Sequence, residues 1–286
     1  MSADLASRGV CQRVRALERF LSDVYGPGRC FDDGVLPGRL ACASGKFRRE
    51  AAGFAPPGGV RVHTAAIDLI HDEAGALRVL ADHVRMPGRV SPLLDRQPGM
   101  PGEYPSRLLA ALRAAAPPGV AHPFVVVLTP GVHSPAYPEH TRLARLMGVD
   151  LVTGGDLACH RNRAYVRSRA GRRPVDVIYR RVDDDWLDPL HFRPDSLLGC
   201  PGLLNAARAG NVTIANAVGN GVADDPLTYP YVPDLIRYYL GEEPLLENAA
   251  GPSAGPGAAA RPARLRAFAV NDGREVWVLP AGQAGE

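Results

Sequence analysis

The chain has 286 residues, 46% of them hydrophobic and 22% charged, with a formal net charge of +3. That length holds one large domain or two ordinary ones, the apolar share excludes wholesale disorder, and so small a charge gives no general footprint for nucleic acid. No apolar run reaches the roughly 18 residues of a membrane helix, the first twenty residues lack the apolar stretch of a secretory signal, and five scattered cysteines form neither a disulfide framework nor a zinc site, so the expectation is a cytoplasmic chain with no membrane and no nucleic-acid partner.

Lys46 is the only lysine among the 33 Lys and Arg residues. Arginine grips phosphate and carboxylate through a rigid planar fork, whereas lysine is a compact point charge. Chemistry that needs two lysines is therefore excluded.

Taken in chain order, residues 2–24 read as a helix, with Val10, Val14, Leu17, Leu21 and Val24 at three- or four-residue spacing. After Pro56-Pro57-Gly58-Gly59 come two strand-like runs, 60–70 and 76–81, joined by a turn at 71–75. Residues 86–103 read as loop and 104–116 as a helix stopped by Pro117-Pro118-Gly119. The apolar run 124–128 reads as a buried, parallel strand; with a helix at 139–147 and a strand at 149–152 it forms a βαβ unit. Strands follow at 163–168, 175–180 and 212–217, with helices at 203–209 and 231–240. Residues 249–263 are Ala/Gly/Pro-rich and read as a flexible linker. The last stretch, 265–279, is a hairpin around Asn271-Asp272-Gly273, expected to dock poorly because a lone hairpin is marginal in water.

Three polar groupings stand out. Arg180-Arg181-Val182-Asp183-Asp184-Asp185 ends a predicted strand, where open α/β sheets bind ligands. The arginines suit an anion clamp and the aspartates a magnesium ion; the pattern alone favours a solvated turn with a capping Asp. Asn216 to Asp225 is a Gly/Asn-rich loop after a buried strand, able to turn backbone N–H groups toward phosphate, yet without P-loop or dinucleotide-binding spacing. His63, Asp68, His71, Asp72, Glu73, Asp82 and His83 surround the first hairpin, either as metal ligands or as ordinary surface residues. His133, Glu139 and His140 are site groups or a helix start.

Several stretches together resemble the circularly permuted (type 2) ATP-grasp proteins, distant relatives of glutathionylspermidine synthase. They are Gln12-Arg13-Val14-Arg15-Ala16-Leu17, Phe47-Arg48-Arg49-Glu50, Thr129-Pro130-Gly131-Val132, Asp176 to Asp185, and the run from Phe192 to Leu246. The resemblance implies an α/β (α+β) fold with two α+β subdomains around ATP, and an α/β layer inserted near residues 120–245. The regions it implies are 1–118 (N-terminal helix and permuted hairpin), 119–248 (α/β), the linker 249–263, and a hairpin remnant at 264–286. The implied chemistry is carboxylate–amine ligation through an acyl phosphate, with ATP and Mg²⁺ as cofactors. Arg180, Arg181, Asn216, Asn220, Asp224 and Asp225 would contact the nucleotide, and Asp68 and His83 the metal; no catalytic residue is assigned.

The chain departs from the family pattern where that chemistry is done. Ala81 stands where Glu is expected, His83 where Asn is, and Pro226 where a lysine follows the Asp pair. The later lysine strand and Gly-rich loop do not appear, so an incomplete nucleotide-binding half, left by an internal deletion, is expected. These departures predict little or no ligase activity in the chain alone. The alternative is a minimal ligase, or one completed by a protein partner or a complete homologue, acting on a small carboxylate and an amine.

Overall fold

The computed structural model describes residues 2–88, 90, 103–169, 171–249 and 264–283. Its helices are α1 (Ser2–Val24), α2 (Arg29–Asp32), α3 (Arg39–Ala43), α4 (Glu103–Ala114), α5 (Tyr137–Met147), α6 (Asp184–Leu187), α7 (Leu203–Arg208) and α8 (Val232–Leu240). Its strands are β1 (Thr64–His71), β2 (Leu77–His83), β3 (Val125–Leu128), β4 (Asp150–Val152), β5 (Leu157–His160), β6 (Arg163–Ser168), β7 (Gly171–Pro174), β8 (Val177–Arg180), β9 (Thr213–Ala215), β10 (Leu265–Asn271) and β11 (Val276–Gln283).

Strand β3 is Val-Val-Val-Leu and buried throughout, as a strand covered on both faces must be. Its side chains alternate between two cores. Val125 and Val127 join Leu108, Leu112, Leu143 and Met147 from α4 and α5. Val126 and Leu128 join Leu203 of α7, Leu235 of α8 and the buried stripe of α1. The parallel sheet runs β4-β3-β8-β9, and the predicted βαβ unit is β3-α5-β4.

A second, antiparallel sheet runs β11-β10-β1-β2. Here the expected poor docking of the C-terminal hairpin is overturned. Strand β10 is an interior strand, paired with β1 from Thr64↔Val270 to Leu69↔Leu265. Phe268 is fully buried and meets the Tyr104 ring edge-on at 6.1 Å. The free edge of β1 and the faces of α1 and α4 supply the surface that a lone hairpin lacks. Of the expected linker, only Ala249 is among the described residues; it donates to the Val79 carbonyl.

Arg13 ties α1 to this sheet. Its Nε and Nη2 donate to the Asp82 carboxylate at 2.6 and 2.8 Å, and Nη2 also reaches Asn248 Oδ1. Both partners are buried, so Asp82 is no surface residue of the hairpin. A third, small sheet runs β5-β6-β7. Strands β5 and β7 went unread in the sequence because Gly-Arg-Arg-Pro has no apolar residue and Leu-Ala-Cys-His little alternation. No helix among the described residues is long and apolar enough to cross a membrane.

Candidate functional site

The carboxyl ends of β8 and β9 face the segment 84–88, which leaves β2 at the edge of the antiparallel sheet. Arg181, Asp183, Asn216, Asn220 and Asp224, all singled out in the sequence, converge on that segment. Asn216 follows β9. Its Oδ1 accepts from the His63 and Thr64 N–H groups at 2.8 and 2.9 Å, and its Nδ2 donates to the Thr64 and Val84 carbonyls. Asn220 Nδ2 donates to the Arg61 and Val84 carbonyls. Asp224 closes the other side: Oδ1 accepts from Val84 N–H at 2.5 Å and Oδ2 from Arg85 N–H at 3.2 Å. Loss of water pushes the Asp224 carboxyl up to about 7, against the opposing pull of the Val84 N–H and of the His83 and Arg85 charges. Asp225 accepts from Ser44 Oγ at 2.5 Å and from Leu227 N–H.

Arg180 is 1% exposed at the end of β8. Its guanidinium donates to the carbonyls of Asn216, Val182 and Ala217 at 2.7 to 3.1 Å and lies 2.8 Å from Asp184 Oδ1. This is not the solvated turn; the fork is spent on the backbone. Arg181 donates to the Pro87 carbonyl at 2.6 Å, faces Glu139 at 3.5 Å and lies over the Tyr179 ring. Arg85 pairs with Asp183 at 2.6 Å. His140, buried beside Thr129, accepts or donates at 2.8 Å; burial, with Arg181 nearby, pushes its pKa down to about 3. His133 is exposed on the loop after β3.

The expected metal pair does come together. His83 Nε2 lies 3.0 Å from Asp68 Oδ2. A third group shares that place: Arg266 of β10 donates Nε to Asp68 Oδ1 at 2.5 Å and Nη2 to Oδ2 at 2.8 Å. Arg266 Nη1 also reaches the Gly88 carbonyl at 3.4 Å. Burial alone would raise the Asp68 pKa, but the hydrogen bonds from His83 and Arg266 and their charge hold it well below the usual carboxylate range. Among the described residues no group of three or more His, Cys, Asp and Glu side chains is placed to share an ion. The residues present do not fit Mg²⁺ at Asp68, because a guanidinium already takes both carboxylate oxygens. They do not fit a nucleotide at Asn216, Asn220, Asp224 or Arg180 either, because those groups bind the protein's own backbone.

The sequence reading missed Arg266, which is 198 positions from Asp68, and it missed Tyr25. Tyr25 Oη donates to the Gly219 carbonyl at 2.8 Å, and its ring stacks on Phe47. Gly219 has φ 92, and a Cβ there would stand 2.6 Å from the Tyr25 ring. Gly219→Ala should therefore lower stability by about 2 kcal/mol, combining left-handed backbone strain with overpacking. Urea unfolding checks this, and a change below about 0.5 kcal/mol would mean that the turn is not clamped against Tyr25.

Comparison with known proteins bears on the same region. Residues 3–254 match the family described as a circularly permuted ATP-grasp. The chain is 52% identical over 256 residues to an uncharacterized protein of Mycobacterium tuberculosis, covering 84% of this chain and 46% of that relative. It is 45% identical over 256 residues to an uncharacterized protein of Synechocystis, covering 84% of this chain and 53% of the relative. It is also 42% identical over 259 residues to a protein of Frankia alni named putative glutamate–cysteine ligase, covering 84% of this chain and 30% of that one. The chain thus spans about half the length, or less, of these relatives. A mixed α/β architecture with these sheets accords with the match, and the chain belongs to the circularly permuted ATP-grasp family.

Proposed function

We propose that this chain keeps the polar frame of an ATP-dependent carboxylate–amine ligase and has little or no ligase activity of its own. The observation that supports this best is the bidentate Arg266–Asp68 pair, an internal cation at the carboxylate where the family resemblance puts Mg²⁺. Asn216, Asn220 and Asp224 hold the 84–88 segment in the same way that a ligand site would be held, but with backbone groups as the ligands. The frame's remaining role is to present a rigid surface to a protein partner or a complete homologue.

The test is calorimetric titration of the chain with Mg-ATP. Each charged contact absent from a phosphate or metal removes roughly 1.5–3 kcal/mol, so binding should be weaker than about 1 mM, which corresponds to about −4 kcal/mol. Micromolar binding by the chain alone would overturn the proposal and favour the minimal ligase.

A further inference from the structure

The sequence from Leu157 to Val175 contains six arginines and no Asp or Glu, whereas the whole chain nets only +3. The rest of the molecule is therefore slightly acidic and the charge is concentrated on one ribbon. This ribbon is the β5-β6-β7 sheet. Arg161, Arg163, Arg167, Arg169, Arg172 and Arg173 are all exposed. Among the described residues none of the six pairs with a carboxylate, although arginines elsewhere commonly do so: Arg13, Arg48, Arg85, Arg181 and Arg266 are examples.

Register sorts the six by face. Arg167 stands directly opposite Arg172, and Arg163 opposite His160. Arg163, Tyr165 and Arg167 alternate along β6 and so share that face, while Ala164 and Val166 point the other way, with Leu157 and the core. Arg173, opposite Val166, lies over the Phe124 ring at 3.5 Å on that inner face. Like charges set directly opposite each other weaken a sheet, so Arg172, set opposite Arg167, is not explained by folding. Nor is Arg161, which with Asn162 makes the β5–β6 turn at positive φ (47 and 56), where Gly or Asn is favoured. Arg167 Nη2 is anchored on the Gly155 and Leu157 carbonyls, which fixes the direction of its guanidinium. Strand β7 ends the sheet, so its outer backbone edge is unpaired among the described residues, and all four of its residues are exposed.

We propose that this ribbon binds an extended acidic polypeptide segment, which lies along the free edge of β7 with its carboxylates on Arg163, Arg167 and Arg172. Strand addition supplies main-chain hydrogen bonds, and alternate side chains of an extended peptide repeat at about 6.7 Å on one face. Arg163 and Arg167 are two such steps apart, so carboxylates four residues apart meet both guanidinium groups. Arg163 and Arg172 offer bidentate forks, and Arg167, whose Nη2 is held by the Gly155 and Leu157 carbonyls, adds a charge-assisted bond from Nη1. A peptide fits better than a long nucleic acid because the rest of the chain is acidic and would repel a polyanion extending beyond the ribbon.

The test uses fluorescence anisotropy with the full chain. The probes are a fluorescein-labelled (Glu-Thr)₆ peptide, the same peptide with Gln for Glu, and a labelled twelve-nucleotide oligo-dT. The expected result is that (Glu-Thr)₆ binds in low salt, at least tenfold more tightly than either other probe. Its binding should weaken at least tenfold in Arg167→Glu/Arg172→Glu and in half-molar salt. Arg172→Lys keeps the charge but loses the fork, so it should weaken binding severalfold with the thermal midpoint unchanged. Arg163→Gln, a single exposed change, should weaken it at least threefold and guards against misfolding of the reversed-charge variant. Absence of (Glu-Thr)₆ binding, equal binding by the Gln peptide, indifference to all the substitutions, or tighter binding of oligo-dT would each overturn the proposal, the last in favour of a nucleic-acid surface.

Discussion

Arg180→Ala should lower the unfolding free energy by about 3–5 kcal/mol, the range for breaking a buried charge pair from one side. The substitution strands Asp184, itself 1% exposed, and removes the donors to the carbonyls of Val182, Asn216 and Ala217. Asp184 would keep the bond its Oδ2 accepts from Gly219 N–H, which does not compensate for a missing counter-charge. Urea unfolding followed by circular dichroism measures the loss. A surface arginine would change stability by no more than about 0.5 kcal/mol, and a result that small would restore the solvated-turn reading of the Arg180-Arg181 pair.

His63 should make the fold acid-sensitive in a window set by its own pKa. It is fully buried and neither ring nitrogen has a partner. Burial disfavours the charged ring and pushes its pKa down to about 4, from an ordinary 6.5. The unfolded chain therefore takes up this proton as pH falls through 6.5, while the folded chain refuses it until about 4. Stability is lost over that interval. Each pH unit of the gap is worth about 1.4 kcal/mol, so between pH 7.5 and 4.5 the contribution is about 2–3 kcal/mol. Asp224 acts with the opposite sign: its pKa is raised to about 7, so the folded state holds its proton more tightly, and stability rises as pH falls toward the unfolded value. The two are separated by comparison with His63→Leu, which keeps Asp224. The advantage of His63→Leu over the wild type should grow by about 2–3 kcal/mol from pH 7.5 to 4.5. A difference that stays flat would mean that the ring is hydrated or protonated in the folded chain.

How much of this was readable in the sequence depended on whether the signal was local. The continuous apolar run Val125–Leu128 and the Asn271-Asp272-Gly273 turn each carry their structure within a few residues, and both appear as read. Docking of the 265–279 hairpin was misread because its partner edge, β1, lies two hundred positions earlier and nothing local advertises a free strand edge. Arg180, Asn216, Asn220 and Asp224 stand out in the sequence as polar groups that follow buried strands. Their chemistry was not legible, since an amide that binds a phosphate and one that binds the Val84 carbonyl look the same in a sequence. Strand β7 was invisible for a different reason. Its charge serves an exposed face instead of a core, so it lacks the apolar period by which strands are found.

The pairing of Asp68 with Arg266 is the point on which the reading of the site turns, and a double-mutant cycle measures it directly. Unfolding free energies would be taken for the wild type, Asp68→Asn, Arg266→Met and the double variant, in buffer with a chelator and again with magnesium. An internal ion pair predicts a coupling of about 1.5–3 kcal/mol between the two positions, with each single variant destabilised and magnesium without effect. A coupling near zero, with Asp68→Asn harmless in chelator but losing a stabilisation that magnesium gives the wild type, would show that Asp68 is a metal ligand and would contradict this account.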